Sequence, residues 1–392
     1  MKFAHLADCH LGGWREPELR KLGVESFDRA IDICIQENVA FVLIAGDLFN
    51  NALPPIELLK EVVHSLNKLK EADINCYIIP GSHDFSVSGK TMLDVLEKAG
   101  LVENVMKLEN NKLKFTIDKT NTKITGLFGL RGGLDRTYYD SLDMKDLEEE
   151  RGLKIFLFHM ALEEYKPKEL EKVECGSVNK LPKNFNYYAG GHPHYIFNRE
   201  YSGGVIAYPG PLFPNNFAEL EKLNCGGFYI VNIDNKAKLD HRRIKLKDVV
   251  SLNIDVDGLS PLDAEKKILS EPKVDVNDKI VTLRISGILN SGKISDINFN
   301  LILDKLKDAY VILKNTNALT TKEFEEAKIE GNVDDIEKSL IRKYIEEDKD
   351  DVKESFILSL ITCLSLEKEE GETNDDFQRR LLKEISKVIM LE

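Results

Sequence analysis

The sequence predicts an α/β fold, a layered sandwich followed by a small α/β domain and a helical tail. Three observations predict it. Short apolar runs alternate with helically spaced segments over the first hundred residues. Shorter strand-like runs then continue to about residue 246. A second strand–helix rhythm begins near residue 251 and gives way beyond about Leu319 to charged, helix-prone sequence.

The first strand, Phe3 to Ala7, runs into Asp8-Cys9-His10. Val24, Phe27, Ala30, Ile31, Cys34 and Ile35 then recur at helical spacing. A crossover helix therefore joins the first strand to Phe41 to Ala45, which ends at Gly46-Asp47, and the two strands should be parallel. Pro54-Pro55 opens a second helix from about Ile56 to Leu69, because proline suits the first turn. The run Cys76 to Pro80 reads as a third buried strand and leads into Gly81-Ser82-His83-Asp84. A third helix should begin near Gly89 and stop at Gly100, a C-terminal cap.

From Val102 the pattern shortens, with strands expected over Leu113 to Ile117 and Ile124 to Leu130, divided by Asn110-Asn111 and Asn121 turns. A helical connection near Asp143 to Glu150 precedes the buried strand Leu153 to Phe158, which ends at His159. Tyr187 to Gly191 ends at His192-Pro193-His194. Val205 to Tyr208, Gly226 to Ile233 and His241 to Leu246 read as a closing antiparallel set. We place a boundary near residue 247, with a small α/β domain to about 318 and a helical tail over 319–392. The stretch Phe356 to Leu366 is apolar enough that it should bury a face.

With 42% hydrophobic and 31% charged residues the chain should be globular, and 392 residues exceed one ordinary core. No apolar run reaches the roughly 18 residues of a membrane span, and the first strand begins at Lys2, so a cytoplasmic protein is expected. The six cysteines show no paired spacing, which argues against a disulfide framework or thiolate zinc site. A net charge of −13 excludes a surface that wraps nucleic acid on every face, though not a local groove. The tail from residue 331 holds 17 acidic against 10 basic residues, so the body before it is only mildly acidic.

His10, His83, His159, His192 and His194, with His5 adjoining, fall in or beside motifs at predicted strand ends, as do Asp8 and Asp47. One such histidine alone would read as structural; the joint pattern reads as a metal centre. Imidazoles with carboxylates suit manganese, iron, nickel or zinc better than magnesium. In the Asp-x-His and His-x-His triplets, side chains two apart share one side of an extended segment, so one ion can take both. Asp47, alone on its strand end, suits a bridging carboxylate, and a two-metal centre points to phosphoester hydrolysis.

The order Asp8-x-His10, Gly46-Asp47, Gly81-x-His83-Asp84, His159, Gly191-His192-x-His194 resembles the calcineurin-like metallophosphoesterase superfamily over about residues 1–246. After Gly46-Asp47 the chain reads Leu48-Phe49 and then Pro54-Pro55, which is similar to the SbcD-type nuclease subunit of the double-strand-break repair complex. The resemblance implies a four-layer α/β/β/α sandwich, a capping domain and a tail that docks on an SbcC-type coiled-coil ATPase. It implies two divalent ions, manganese foremost: one held by Asp8, His10, Asp47 and His194, the other by Asp47, Ser82, His159 and His192. His83 would stand near the scissile phosphate as a catalytic group, with Asp84 orienting it. The implied activity is a 3′–5′ DNA exonuclease with single-strand endonuclease activity, and a homodimer.

Two positions depart from the family pattern. Ser82 stands where an asparagine is usual, and its shorter hydroxyl leaves direct ligation, ligation through water and no ligation all open. Asn50 stands where some members carry a substrate-positioning histidine. Arg15, beside Trp14, suits either a nucleic-acid contact or an ordinary rim position. Asp84 also suits a turn cap, Gly132-Gly133 a surface hairpin or a phosphate loop, and Lys90 a phosphate contact or plain solvent exposure. Rival functions are a small-molecule phosphodiesterase or nucleotide pyrophosphatase, and a catalytically weak DNA-binding scaffold.

Overall fold

The computed structural model describes residues 1–85, 91–130, 136–167, 175–271, 274–322 and 374–389, together with 324, 356, 359, 360, 363 and 366. The chain divides into two compact units, the first comprising 1–252, 274–283 and 306–313, and the second 253–273, 284–305 and 314–392.

In the first unit, β1 (Lys2–Leu6), β2 (Phe41–Ala45), β3 (Asn75–Ile79) and β4 (Glu103–Asn104) are parallel neighbours. β5 (Thr116–Ile117), β6 (Lys123–Leu127), β7 (Lys154–His159), β8 (Tyr187–Gly191), β9 (Ile196–Tyr201) and β10 (Gly204–Pro209) form a second sheet in the order β9-β10-β8-β7-β6-β5. β11 (Gly226–Ile233) and β12 (Ala237–Ile244) complete the first sheet, whose order is β12-β11-β1-β2-β3-β4.

The strand pattern explains the layers. All five residues of β2 are buried, as a parallel strand covered on both faces requires. Ala4, Val42, Ile44 and Ile78 face the helices α1 (Pro17–Gln36) and α2 (Ile56–Glu71), meeting Phe27, Ile31, Val62 and Leu66. The alternate residues Phe3, Phe41, Leu43, Tyr77 and Ile79 pack instead on Ile155, Leu157, Tyr187 and Ala207 of the second sheet. That sheet's far face, with Phe156, Phe158, Tyr188 and Tyr208, is covered by Tyr139, Leu147, Leu162 and Phe185. The fold is thus mixed α/β with two sheets face to face.

Two expectations need correction, and one strand lies outside them. Val205 to Tyr208, Gly226 to Ile233 and His241 to Leu246 do not form one antiparallel set. β10 lies parallel to β8, with Tyr187 opposite Val205, while β11 and β12 are antiparallel in the first sheet, with Phe3 opposite Val231. An apolar pattern marks a strand as buried without naming its neighbour. α1 starts at Pro17 rather than Val24, because its first turns direct Leu19 and Leu22 toward a separate cluster with Phe213 and Leu220. β9 was not expected; it is an edge strand whose side chains are largely exposed, so no alternation marks it.

The third helix spans Leu93–Lys98 and ends, as expected, at Gly100 in the left-handed region (φ 67°). Its expected start near Gly89, with Lys90, lies outside the described residues, as does Gly132-Gly133. Asn110 and Asn111 both take positive φ (51° and 60°) in a two-residue hairpin that pairs Glu109 with Lys112.

From residue 249 the expected strand–helix rhythm is present. β13 (Val249–Asp255), β14 (Ile280–Leu289) and β15 (Val311–Thr321) form a sheet in that order. The helix Pro261–Ser270 is capped by Ser260, whose side chain accepts from the Asp263 N–H, and buries Ala264 and Ile268. The C-terminal segment is helical over Asn374–Ile389, whereas most of the apolar run 356–366 lies outside the described residues. All six cysteines are free. Among the described residues no helix is long and apolar enough to cross a membrane.

Candidate metal centre

The side chains singled out by sequence come together because parallel strands of both sheets end on one rim. Asp8 and His10 follow β1, Asp47 follows β2, Ser82 and His83 follow β3, His159 ends β7, and His192 and His194 follow β8. This is the carboxyl edge at which open α/β sheets bind ligands. The turns beyond β1 and β2 are stitched together: Asp8 N–H donates to Gly46 O (3.2 Å), His10 N–H to Asp47 O (2.9 Å) and Leu11 N–H to Leu48 O (3.0 Å). Gly46 takes φ 86°, and a Cβ there would stand 2.3 Å from His159 Nδ1, so only glycine lets the sheets close at this point.

Backbone strain concentrates here. Asp8, His10, Asp47, His192 and His194 all have positive φ, from 41° to 98°. Such conformations cost of order 1–3 kcal/mol each and persist where the surrounding structure over-determines them, typically at functional sites.

Three groups of side chains each present atoms within 4.8 Å of one another: Asp8–His10–His194, His10–Asp47–His83 and Asp47–His159–His192. Between them His10 Nε2 lies 3.0 Å from His194 Nε2 and 3.4 Å from Asp47 Oδ2, and His159 Nε2 lies 3.1 Å from Asp47 Oδ2. Ser82 Oγ is 3.5 Å from Asp47 Oδ2 and buried.

Outer hydrogen bonds fix the rings. The His159 Nδ1–H donates to the Ala45 carbonyl (2.8 Å), since a carbonyl can only accept, and this turns Nε2 toward the carboxylates. That nitrogen is buried and makes no properly directed hydrogen bond among the described residues, the mark of a group awaiting a ligand. His83 Nδ1–H likewise donates to the Asn50 carbonyl (2.9 Å), and the His83 backbone N–H donates to Asp47 Oδ1 (2.7 Å). Asp8 accepts the His192 N–H (2.8 Å).

Burial pushes Asp8 up to about 6, against the pull of His194 and His159, and drives His10 and His192 down to about 3, so these two rings are neutral electron-pair donors. Burial also disfavours charge on Asp47 and His159. There the neighbours win: the rings of His159 and His10 hold Asp47 well below the usual carboxylate range, while Asp47 and Asp8 hold His159 at about 10. Neutral imidazoles, ionised carboxylates and an unsatisfied ring nitrogen converging within a few ångströms fit one or more divalent cations of intermediate softness.

The remaining sequence candidates sit elsewhere. Asp84, which the sequence suggested as the orienter of His83, is buried and accepts the backbone N–H groups of Gly81 (2.9 Å), Phe49 (3.1 Å) and Leu48 (3.4 Å), tying the β2 and β3 turns together; the Asn50 carbonyl orients His83 instead. Asn50 thus meets the site through its backbone. Arg15 is exposed, and the contact described for it is its carbonyl accepting from Arg20 Nη2 (3.2 Å). His5 is buried behind the rim, with Nδ1 2.9 Å from the Tyr187 hydroxyl. Glu219 was missed: its Oε1 lies 2.9 Å from His194 Nδ1. Its only sequence signal is the Asn216-x-x-Glu219 spacing of a capped helix start, borne out by the Glu219 N–H donating to Asn216 Oδ1 (2.9 Å).

Residues 1–195 match the calcineurin-like phosphoesterase family. A protein of Methanococcus maripaludis described as DNA double-strand break repair protein Mre11 is 30% identical over 297 residues, spanning 68% of this chain and 76% of that one. Proteins of the same description from Archaeoglobus fulgidus and Methanocaldococcus jannaschii are each 26% identical, over 79% and 76% of this chain and 76% and 84% of theirs. The calcineurin-like family uses divalent metals, which suits the donor set at this rim. With its motif order, rim geometry and matched length in agreement, the chain is a metal-dependent hydrolase and belongs to the Mre11/SbcD-type nuclease branch of the calcineurin-like phosphoesterases.

Proposed function

We propose that the chain is a two-metal, manganese-dependent DNA phosphodiesterase acting in double-strand-break repair, a 3′–5′ exonuclease with single-strand endonuclease activity. The observation that carries this reading is the sharing of His10 and Asp47 among three overlapping donor groups on one rim. One ion is assigned to Asp8, His10, Asp47 and His194, and the other to Asp47, His159, His192 and the Ser82 position. Two divalent ions held there would polarise the phosphoryl oxygens and acidify a water for in-line attack.

The chain's own residues supply the rest. Asp47 faces both donor groups, and its other oxygen accepts the His83 N–H, so the carboxylate cannot swing away. With Nδ1–H committed to Asn50, the His83 ring presents Nε2 to the rim; when that nitrogen also carries a proton, it donates to a developing charge or passes the proton to the departing oxygen, leaving the ring neutral. Depressed by burial, His10 and His192 need release no proton to serve as donors.

The DNA substrate is supported by the repair proteins this chain resembles over most of its length. We assign residues 1–246 to the nuclease domain, 247–318 to a capping domain and 319–392 to a tail that docks on an SbcC-type ATPase. The same reading makes the protein a cytoplasmic homodimer.

The test is release of nucleotides from end-labelled linear duplex DNA with manganese, run beside Asp47→Ala. Release by the wild type alone supports the nuclease. Hydrolysis of a small chromogenic diester without nucleotide release would make it a small-substrate enzyme; inactivity on both with DNA still bound would make it a scaffold.

A further inference from the structure

His194 is held less by packing than His10 or His159: its side chain is 22% exposed, against 4% and 0%. A ring so placed needs a hydrogen bond to fix its plane. His159 has the Ala45 carbonyl and His83 the Asn50 carbonyl; His194 has a carboxylate. We propose that Glu219 is the positioning residue of the metal centre, holding His194 so that Nε2 faces Asp8 and His10. The inference rests on the metal-centre reading above.

The bond runs one way. A carboxylate oxygen accepts, so the His194 Nδ1–H donates to Glu219 Oε1 at 2.9 Å. Nε2 is then left as the ring's ligand atom, 3.0 Å from His10 Nε2 and 3.9 Å from Asp8 Oδ1. Glu219 is itself clamped. Its Oε2 accepts the Asn215 N–H (2.8 Å), its Oε1 accepts from Asn216 Nδ2 (2.6 Å), and its backbone N–H returns to Asn216 Oδ1 (2.9 Å). The seven-residue helix Phe217–Leu223 is anchored from beneath by buried Leu220, so the carboxylate sits on a fixed element. A charged orienter also makes the opposite ring nitrogen a stronger donor than a carbonyl does.

The test titrates manganese alone into metal-free full-length protein, by calorimetry and by electron paramagnetic resonance. Wild type should take up two ions. Glu219→Ala should weaken one of them by about 10–100-fold and leave the other unchanged, the usual effect of losing such an outer partner. Glu219→Gln keeps an oxygen acceptor at the same reach and should recover most of the loss. Unchanged binding in Glu219→Ala overturns the inference while leaving the metal centre intact. Equal weakening of both ions without rescue by glutamine means a general structural role and also overturns it. A wild type that takes up no ion overturns the metal-centre reading and this inference together.

Discussion

Raising the pH from 7 to 9 should tighten divalent-ion binding to the metal-free protein by about tenfold per unit, because one specific proton stands in the way. His10 and His192, near 3, are neutral throughout that range, and Asp8, near 6, is ionised. His159, held near 10 by Asp47 and Asp8 against its burial, carries a proton that an ion at Nε2 must displace. Below about 10 the proton competes with the ion, so affinity rises with pH and levels off once the ring is neutral. One displaced proton is worth about 1.4 kcal/mol per pH unit, or roughly 2.7 kcal/mol from pH 7 to 9. His194, also raised because its hydrogen bond to Glu219 and the charge of Asp8 outweigh its burial, adds to this dependence, so the one-proton slope is a lower bound. Calorimetric titration at pH 8 in buffers of different ionisation enthalpy counts the protons released. Asp47→Asn removes the charge that holds the His159 proton, so the variant should bind more weakly, release fewer protons and show a flatter pH dependence. Wild-type affinity that ignores pH with no proton released, or an unchanged slope in Asp47→Asn, would refute the reasoning.

His83→Ala should keep its ions and lose about 10²–10⁴-fold in turnover, the range for a missing acid–base group; metal analysis beside single-turnover rates checks it, and unchanged rates remove the assignment. Ser82→Asn puts an amide oxygen further into the space beside Asp47 and should tighten the second ion, read by the same calorimetry; weaker binding would mean that the position lacks room for it. Deleting residues from 331 onward should spare hydrolysis of a small chromogenic diester and abolish capture of an SbcC-type ATPase. Capture by the shortened chain would move the docking surface elsewhere.

The rim was legible in the sequence because local rules suffice there. A run such as Phe41-Val42-Leu43-Ile44-Ala45 is apolar at every position only if buried on both faces, and the residues just past its end lie at a sheet edge. Five largely apolar runs, each leading into Asp or His, therefore announced one site, whatever the order of the strands. Strand order itself was not legible: Val205 and Gly226 open equally apolar strands, yet one lies beside β8 and the other beside β1. The choice is made by packing between elements far apart in sequence, which a local pattern does not record.

The same limit explains Glu219 and Asn50. Each acts at long range through one hydrogen bond, Glu219 on a ring 25 residues away and Asn50, by its carbonyl, on a ring 33 residues away. A carbonyl has no sequence identity at all, so the side chain carried at position 50 does not set the orientation of His83. The identity of the side chain at position 50 and the setting of the His83 ring are therefore separate matters. A change at position 50 that preserves the backbone should keep the His83 geometry, whereas a change at Glu219 should reach the His194 ring directly. Residues that hold a metal are thus announced by strand ends; residues that aim the holders become visible only once the two sheets have closed on one another.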